Sequence, residues 1–197
     1  MVAVAAAALQ LETALDLLGY EPSNRNMTDS VTNRDSVMLT IIDYRDDLAP
    51  LFHDINAEWI NALFVMEDVD RLILENPRET IIDPGGIILF VAESTLGIVG
   101  TCALKPAGPG AYELTKMGVL ESARGKKAGE YLLAAAITRA RTLDIDSLFL
   151  LTNHMCASAI HLYEKAGFVH DAAIMQRYGG RYARCDVAMS YPLDQAI

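Results

Sequence analysis

The sequence predicts an α+β domain, with a mixed, predominantly antiparallel central sheet flanked by helices. Two observations carry this. Three strand-like runs, 87–93, 98–104 and 111–120, follow one another across short turns, as an antiparallel meander does. A helical pattern over 127–143 and a wholly apolar run over 147–152 come next, the order of a crossover connection between neighbouring strands. At 197 residues, 52% hydrophobic and 21% charged, the chain can bury one sizeable core.

Residues 3–18 are rich in Ala and Leu and favour a helix, with Gly19 as its stop. Residues 20–36 turn polar, with Pro22 and several Asn and Asp, and read as a linker. Residues 1–36 are therefore expected to form an appendage and residues 37–197 the domain. Leu39–Asp43 is a short strand. Pro50 suits the first turn of a helix whose apolar residues, Leu51, Phe52, Ile55, Trp59, Ala62 and Leu63, keep helical spacing. A second helix, 68–75, ends before Pro77, and 83–86 is a turn. The three-strand meander follows, its second link a Pro/Gly loop over 106–110. In the helix over 127–143, Leu132, Leu133, Ala136, Ile137, Ala140 and Leu143 form one stripe. Ser158 is placed to cap a further helix that stops at Gly167. From Phe168 the chain reads as extended, with a last strand over 184–190.

The formal net charge of −10 argues against nucleic acid as the partner, because neutralising phosphates needs a basic surface. It favours cationic partners instead. The three cysteines and four histidines have no metal-ligand spacing, so no metal site is expected. No apolar run reaches transmembrane length, and the alanine-rich start lacks a basic leader. The expectation is a cytoplasmic protein with free thiols and no membrane partner. The apolar helix at the start leaves a homodimer open.

One stretch offers chemistry. Arg124-Gly125-Lys126-Lys127-Ala128-Gly129 lies between a strand end and a helix start. A helix N-terminus presents unpaired N–H groups and positive dipole, and glycine lets backbone approach an anion. Taken alone, the turn fits either a phosphate cradle or an ordinary solvated corner.

With a second segment the pattern becomes specific. The turn resembles the acetyl-CoA signature of the GNAT N-acetyltransferases, Arg/Gln-x-x-Gly-x-Gly/Ala. Ala159-Ile160-His161-Leu162-Tyr163-Glu164-Lys165-Ala166-Gly167-Phe168 resembles that family's late helix signature. Trp59, Asp70, Pro77, the Gly85-Gly86 pair, 100–103, 113–117 and Thr152-Asn153 together resemble one bacterial branch of unassigned substrate. The resemblance covers residues 38–192 and implies the GNAT acyl-CoA N-acyltransferase fold. It implies acetyl-CoA as cofactor and an amine of a small molecule or peptide as acceptor. One departure stands out: Lys127 occupies the family's middle glycine position, and phosphate contact there survives if Lys127 has a negative φ.

The resemblance implies that Arg124, Gly125, Lys126, Lys127, Ala128, Gly129 and Glu130 hold the pyrophosphate. Met117, Gly118 and Val119 would pair with the pantetheine arm, and Asn153 would bond it or the substrate. Tyr163 would protonate the leaving sulfur, unless it is simply a packed helix tyrosine. Glu113 is the first candidate base: its even offset from Met117 puts both on one face of an unbroken pleat, though a salt bridge to Lys116 is an equal reading. Glu58 and Asp70 are weaker alternatives. Trp59, Tyr182 and Arg184 would line the acceptor pocket, Arg184 binding a carboxylate, with Arg71 as an alternative anion clamp. Three functions remain open: an acetyl-CoA-dependent N-acetyltransferase, a catalytically silent acyl-CoA sensor on the same fold, and a nucleotide-binding protein of another fold.

Overall fold

A computed structural model describes residues 38–193. The expected helix at 3–18 and its linker lie outside the described residues. Seven strands form one sheet: β1 Leu39–Asp43, β2 Ile87–Glu93, β3 Gly97–Gly108, β4 Ala111–Val119, β5 Ser147–Thr152, β6 Val169–His170 and β7 Val187–Tyr191. Their order is β1-β2-β3-β4-β5-β7-β6. Only β4 and β5 run parallel; every other neighbour is antiparallel. The parallel pair is joined by the crossover helix α3, Ala128–Ala140.

Alternation along the strands feeds two cores. Leu89 and Val91 of β2 join Leu132, Leu133 and Ala136 of α3, with α4 (Ala157–Lys165) against the same face. Ile88 and Phe90 point the other way, to Phe52 and Ile60 of α1 (Ala49–Leu63) and Ile73 and Leu74 of α2 (Asp68–Glu75). A smaller cluster on that second side sets Phe149 of β5 against Tyr178, with rings stacked 4.4 Å apart.

Several elements differ from expectation. β3 continues through Pro106 to Gly108 where a loop was expected. Pairing with β2 ends at Leu104, so Pro106 stands on a locally open edge, where a missing N–H is tolerated. The segment after Phe168 is not extended throughout. Helix α5, Ala172–Tyr178, begins at Asp171, whose carboxylate accepts from the backbone N–H groups of Ala173 and Ile174. The last strand therefore starts at Val187. Cys156, not Ser158, precedes α4. Gly167 ends α4 with φ +99, as its position suggested.

Gly86 is set by close approach. A Cβ there would lie 2.6 Å from the carbonyl oxygens of both Ile81 and Leu104, neither of which is a flexible side-chain end. Gly86→Ala is expected to destabilise the protein by about 1–3 kcal/mol in chemical denaturation, through forced backbone displacement.

Candidate active site

The site is made where two strands part. β4 and β5 pair from Ala111–Ser147 to Leu114–Leu150 and no further. Beyond that, β4 carries on to Val119 and β5 to Thr152, leaving a cleft lined by residues of both strands, α1 and α4 and the segment before β7.

The parting coincides with a bulge. Opposite β4, Ala103 faces Thr115 but Thr101 faces Gly118, so Lys116 and Met117 together oppose Cys102. Lys116 takes φ +50, which is uncommon for a residue with a Cβ. The extra residue shifts the alternation. Leu114, Met117 and Val119 share the α3 face, at a spacing of three and then two. Glu113 lies on the opposite face, correcting the expectation that it shares a face with Met117. Its carboxylate is buried, accepts from Arg181 at 3.0 Å and keeps its Oε1 without a partner. It does not line the cleft. Nor does Glu58, whose Oε1 accepts from the Glu121 N–H.

Lys116 enters the cleft instead, a place the sequence pattern does not reveal. Its Nζ donates to Asp70 Oδ1 at 2.6 Å and lies 3.4 Å from the Tyr182 hydroxyl. Asp70, fully buried on α2, also accepts from Arg184 Nη1 at 2.6 Å, from Arg184 Nη2 at 2.9 Å and from the Glu67 N–H at 3.1 Å. Burial alone would raise the Asp70 carboxyl. Its hydrogen bonds with Arg184 and Lys116 and their charges outweigh burial and hold it at about 2. Arg184 also donates to Glu67 at 3.1 Å, and its guanidinium lies over the Phe64 and Tyr182 rings. Arg184 lines the cleft, but its Nη groups are engaged by acids of the chain itself, so it does not offer the free carboxylate clamp expected of it. Arg71 is exposed, donates to the Met66 carbonyl at 2.9 Å and does not reach the cleft.

The other wall carries Tyr163 and Asn153. Tyr163 is buried in the α3-side core and lines the cleft. Burial, with smaller effects of Cys156 and Cys102, raises its phenol well above the ordinary range, so it stays protonated. Asn153 donates to the Arg184 carbonyl at 2.7 Å and accepts from the Met155 N–H at 2.9 Å, so it braces the wall. Trp59 packs on Gly118, where a Cβ would meet its ring at 2.6 Å, and donates to Asn56 at 3.0 Å.

At the turn, Gly125 has φ +78 and Lys127 φ +61, and α3 starts at Ala128. Lys127 therefore takes a left-handed conformation that favours glycine, and the negative φ on which phosphate contact was conditioned is not met. Lys126 donates to Glu93 at 3.3 Å, Arg124 to Glu121 at 3.1 Å, and Lys165 of α4 to Glu130 at 3.4 Å. A Cβ on Gly125 would meet nothing within 4 Å, and one on Gly129 would make only ordinary contacts, at 3.5 Å or more. Packing does not demand glycine at either point. The open space before an N-terminal turn of α3, close to β4 backbone that β5 no longer pairs, fits a pyrophosphate with an extended arm.

Residues 85–170 match the sequence model of the acetyltransferase (GNAT) domain. An uncharacterized N-acetyltransferase of Schizosaccharomyces pombe is 31% identical over 96 residues, which is 48% of this chain and 59% of that protein. The chain thus spans about six-tenths of the length of the curated relative it matches. A GNAT-family acetyltransferase from Staphylococcus aureus Mu50 superposes with a TM-score of 0.71 at 21% identity, over 80% of this chain and all of that one. An acetyltransferase from Streptococcus agalactiae gives 0.66 at 17% identity, over 78% and 97%. The superpositions show that the described residues have the fold of GNAT acetyltransferases, and residues 85–170 carry the sequence pattern of that domain. That fold removes the reading as a nucleotide-binding protein of another architecture.

Two outcomes follow from this geometry. Asp70→Asn is expected to cost about 3–5 kcal/mol, since it leaves the buried Lys116 without its anion and Arg184 with Glu67 alone. Because Asp70 sits at about 2, below its ordinary 3.8, its contribution is complete above pH 3.8 and is lost as pH falls through 2. Urea titrations at several pH values should show the wild-type advantage closing in that window. Lys127→Gly is expected to preserve or raise stability, by up to about 1 kcal/mol, because relief of the left-handed strain exceeds glycine's entropic cost. Thermal and chemical denaturation measure it.

Proposed function

We propose that the protein transfers an acetyl group from acetyl-CoA to a primary amine of a small molecule or peptide, by direct attack of the amine. The observation that carries this reading is Tyr163: a buried phenol, kept protonated, in the cleft where β4 and β5 separate. Bound acetyl-CoA supplies an activated thioester whose leaving sulfur needs a proton. The backbone of Met117, Gly118 and Val119 orients the pantetheine arm. The α3 N-terminus, with Gly125, Lys126, Lys127, Ala128, Gly129 and Glu130, receives the pyrophosphate, and Arg124 flanks it. Asn153 supports the cleft wall, and Tyr163 donates its proton to the sulfur. Trp59, Phe64 and Tyr182 shape the acceptor side.

A second reading, a silent acyl-CoA sensor, draws on one specific observation: no carboxylate lines the cleft among the described residues. Steady-state CoA release with a panel of amines separates the two, since a sensor binds acetyl-CoA tightly without turnover. Tyr163→Phe is expected to lower kcat about 100-fold while leaving the acetyl-CoA Kd nearly unchanged. An unchanged kcat would remove Tyr163 as the acid.

A further inference from the structure

We propose that Lys116 is the group that takes the proton from the incoming amine, the task expected of Glu113. This rests on the acetyltransferase reading above.

The argument begins with position. The bulge turns Glu113 away to Arg181 and brings Lys116 into the cleft, one residue before the Met117 backbone. An amine held against an acetyl group on this strand edge meets Lys116 from the acceptor side. Among the described residues lining the cleft, the titratable ones are Lys116, Tyr163, Tyr182, Arg184, Cys156 and Cys185. Burial pushes Tyr163, Tyr182 and Cys185 towards their protonated forms, which donate rather than accept. Burial works against the Arg184 charge, but its bonds and attraction to Asp70 and Glu67 outweigh this and hold it protonated. Asp70 sits behind the lining, with its oxygens occupied and its carboxyl at about 2, which makes it a weak base. Lys116 is the remaining group with a neutral form able to accept a proton.

The surroundings favour that neutral form. Burial pushes the Lys116 ammonium down, and this outweighs the attraction and hydrogen bond of Asp70. Glu113, on the same strand, opposes the shift, and the Arg184 charge adds to it. From the segment before β7, Tyr182 contributes its hydroxyl and a ring face 4.6 Å from Nζ. Glu67 stands behind Arg184. The decisive feature is that Asp70 has two cations. When Lys116 is neutral, Asp70 keeps its paired contacts with Arg184, so no buried carboxylate is stranded.

The step balances. One proton of the acceptor ammonium passes to Lys116 Nζ, directly or through one water. The freed amine forms a C–N bond to the acetyl carbon, and the C–S bond breaks. The proton of Tyr163 goes to the departing sulfur, and the second proton released by the amine restores Tyr163. Lys116 returns its proton to solvent. An ammonium and a thioester become an amide, a thiol and one proton.

Lys116→Arg keeps a cation beside Asp70 but cannot give up its proton at neutral pH. In the full-length protein, it is expected to lower kcat about 100-fold at pH 7 with little change in the KM for acetyl-CoA. The wild-type kcat should rise with pH along a limb set by Lys116, below the ordinary lysine range, and the variant should lack that limb. A variant with wild-type kcat and the same limb overturns the proposal, as does a rise in KM alone, which marks a structural role. Independently of the variant's folding, Nζ NMR titration of 15N-lysine-labelled wild-type protein with acetyl-CoA bound reports the proton itself. Titration below the ordinary 10.5 is expected, and a Lys116 that stays charged through 10.5 overturns the assignment. Wild-type protein that binds acetyl-CoA yet turns over no amine defeats the acetyltransferase reading instead, and the catalytic role of Lys116 falls with it.

Discussion

One extra residue in β4 governs the site. Without it, β4 would keep its alternation past Leu114, and Glu113 would share a face with Met117. With it, Met117 and Val119 turn to the α3 side, while Lys116 reaches the acids and aromatics around the cleft. The strand also leaves its parallel neighbour at this point. A bulge commonly bends a strand and re-aims one side chain, and here the parting of β4 and β5 accompanies both effects. The positive φ of Lys116 is a local cost, and its ion pair with Asp70 helps to hold the residue there.

That ion pair belongs to a wider brace. Asp70 and Glu67 come from α2 and its cap, Lys116 from β4, and Arg184 from the segment entering β7. Glu67 also accepts from the Ala183 and Arg184 N–H groups, at 2.9 and 3.2 Å. Two acids and two bases thus join three parts of the chain far apart in sequence. Buried ion pairs of this kind add little net stability compared with apolar packing, yet losing one partner is expensive. The acidic charge of the chain as a whole does not appear in the cleft as unpaired carboxylates, since both acids of the brace are engaged.

The turn before α3 follows different physics. Around the turn before α3, side chains largely pair with the protein: Lys126 with Glu93, Arg124 with Glu121 and Glu130 with Lys165. Backbone is what remains on offer, with the first N–H groups of a 13-residue helix and glycines whose missing side chains leave space. Lys127 enters α3 from a left-handed conformation, which favours glycine.

Periodicity and punctuation made the local order legible. Strands β1, β2 and β5, helices α1 to α3 and the stop at Gly167 follow from alternation, 3.6-residue spacing, Pro50 and a glycine, all of which act through near neighbours. The Asp171 cap was also present in the sequence, but a seven-residue helix has too little stripe to reveal its period. The turn before α3 and the Tyr163 helix stood out for the same local reason. What the tertiary structure decided was which face each β4 side chain takes and who its partner is. A bulge is set by pairing with β3 and cannot be read from a strand's own alternation, although the three-residue step from Leu114 to Met117 carries its trace. The ion-pair partners of Asp70, Arg184 and Glu113 lie 46 to 117 residues away. Only packing brings them together, so the signature turn could be seen in advance, while the residue that the bulge turns into the cleft could not.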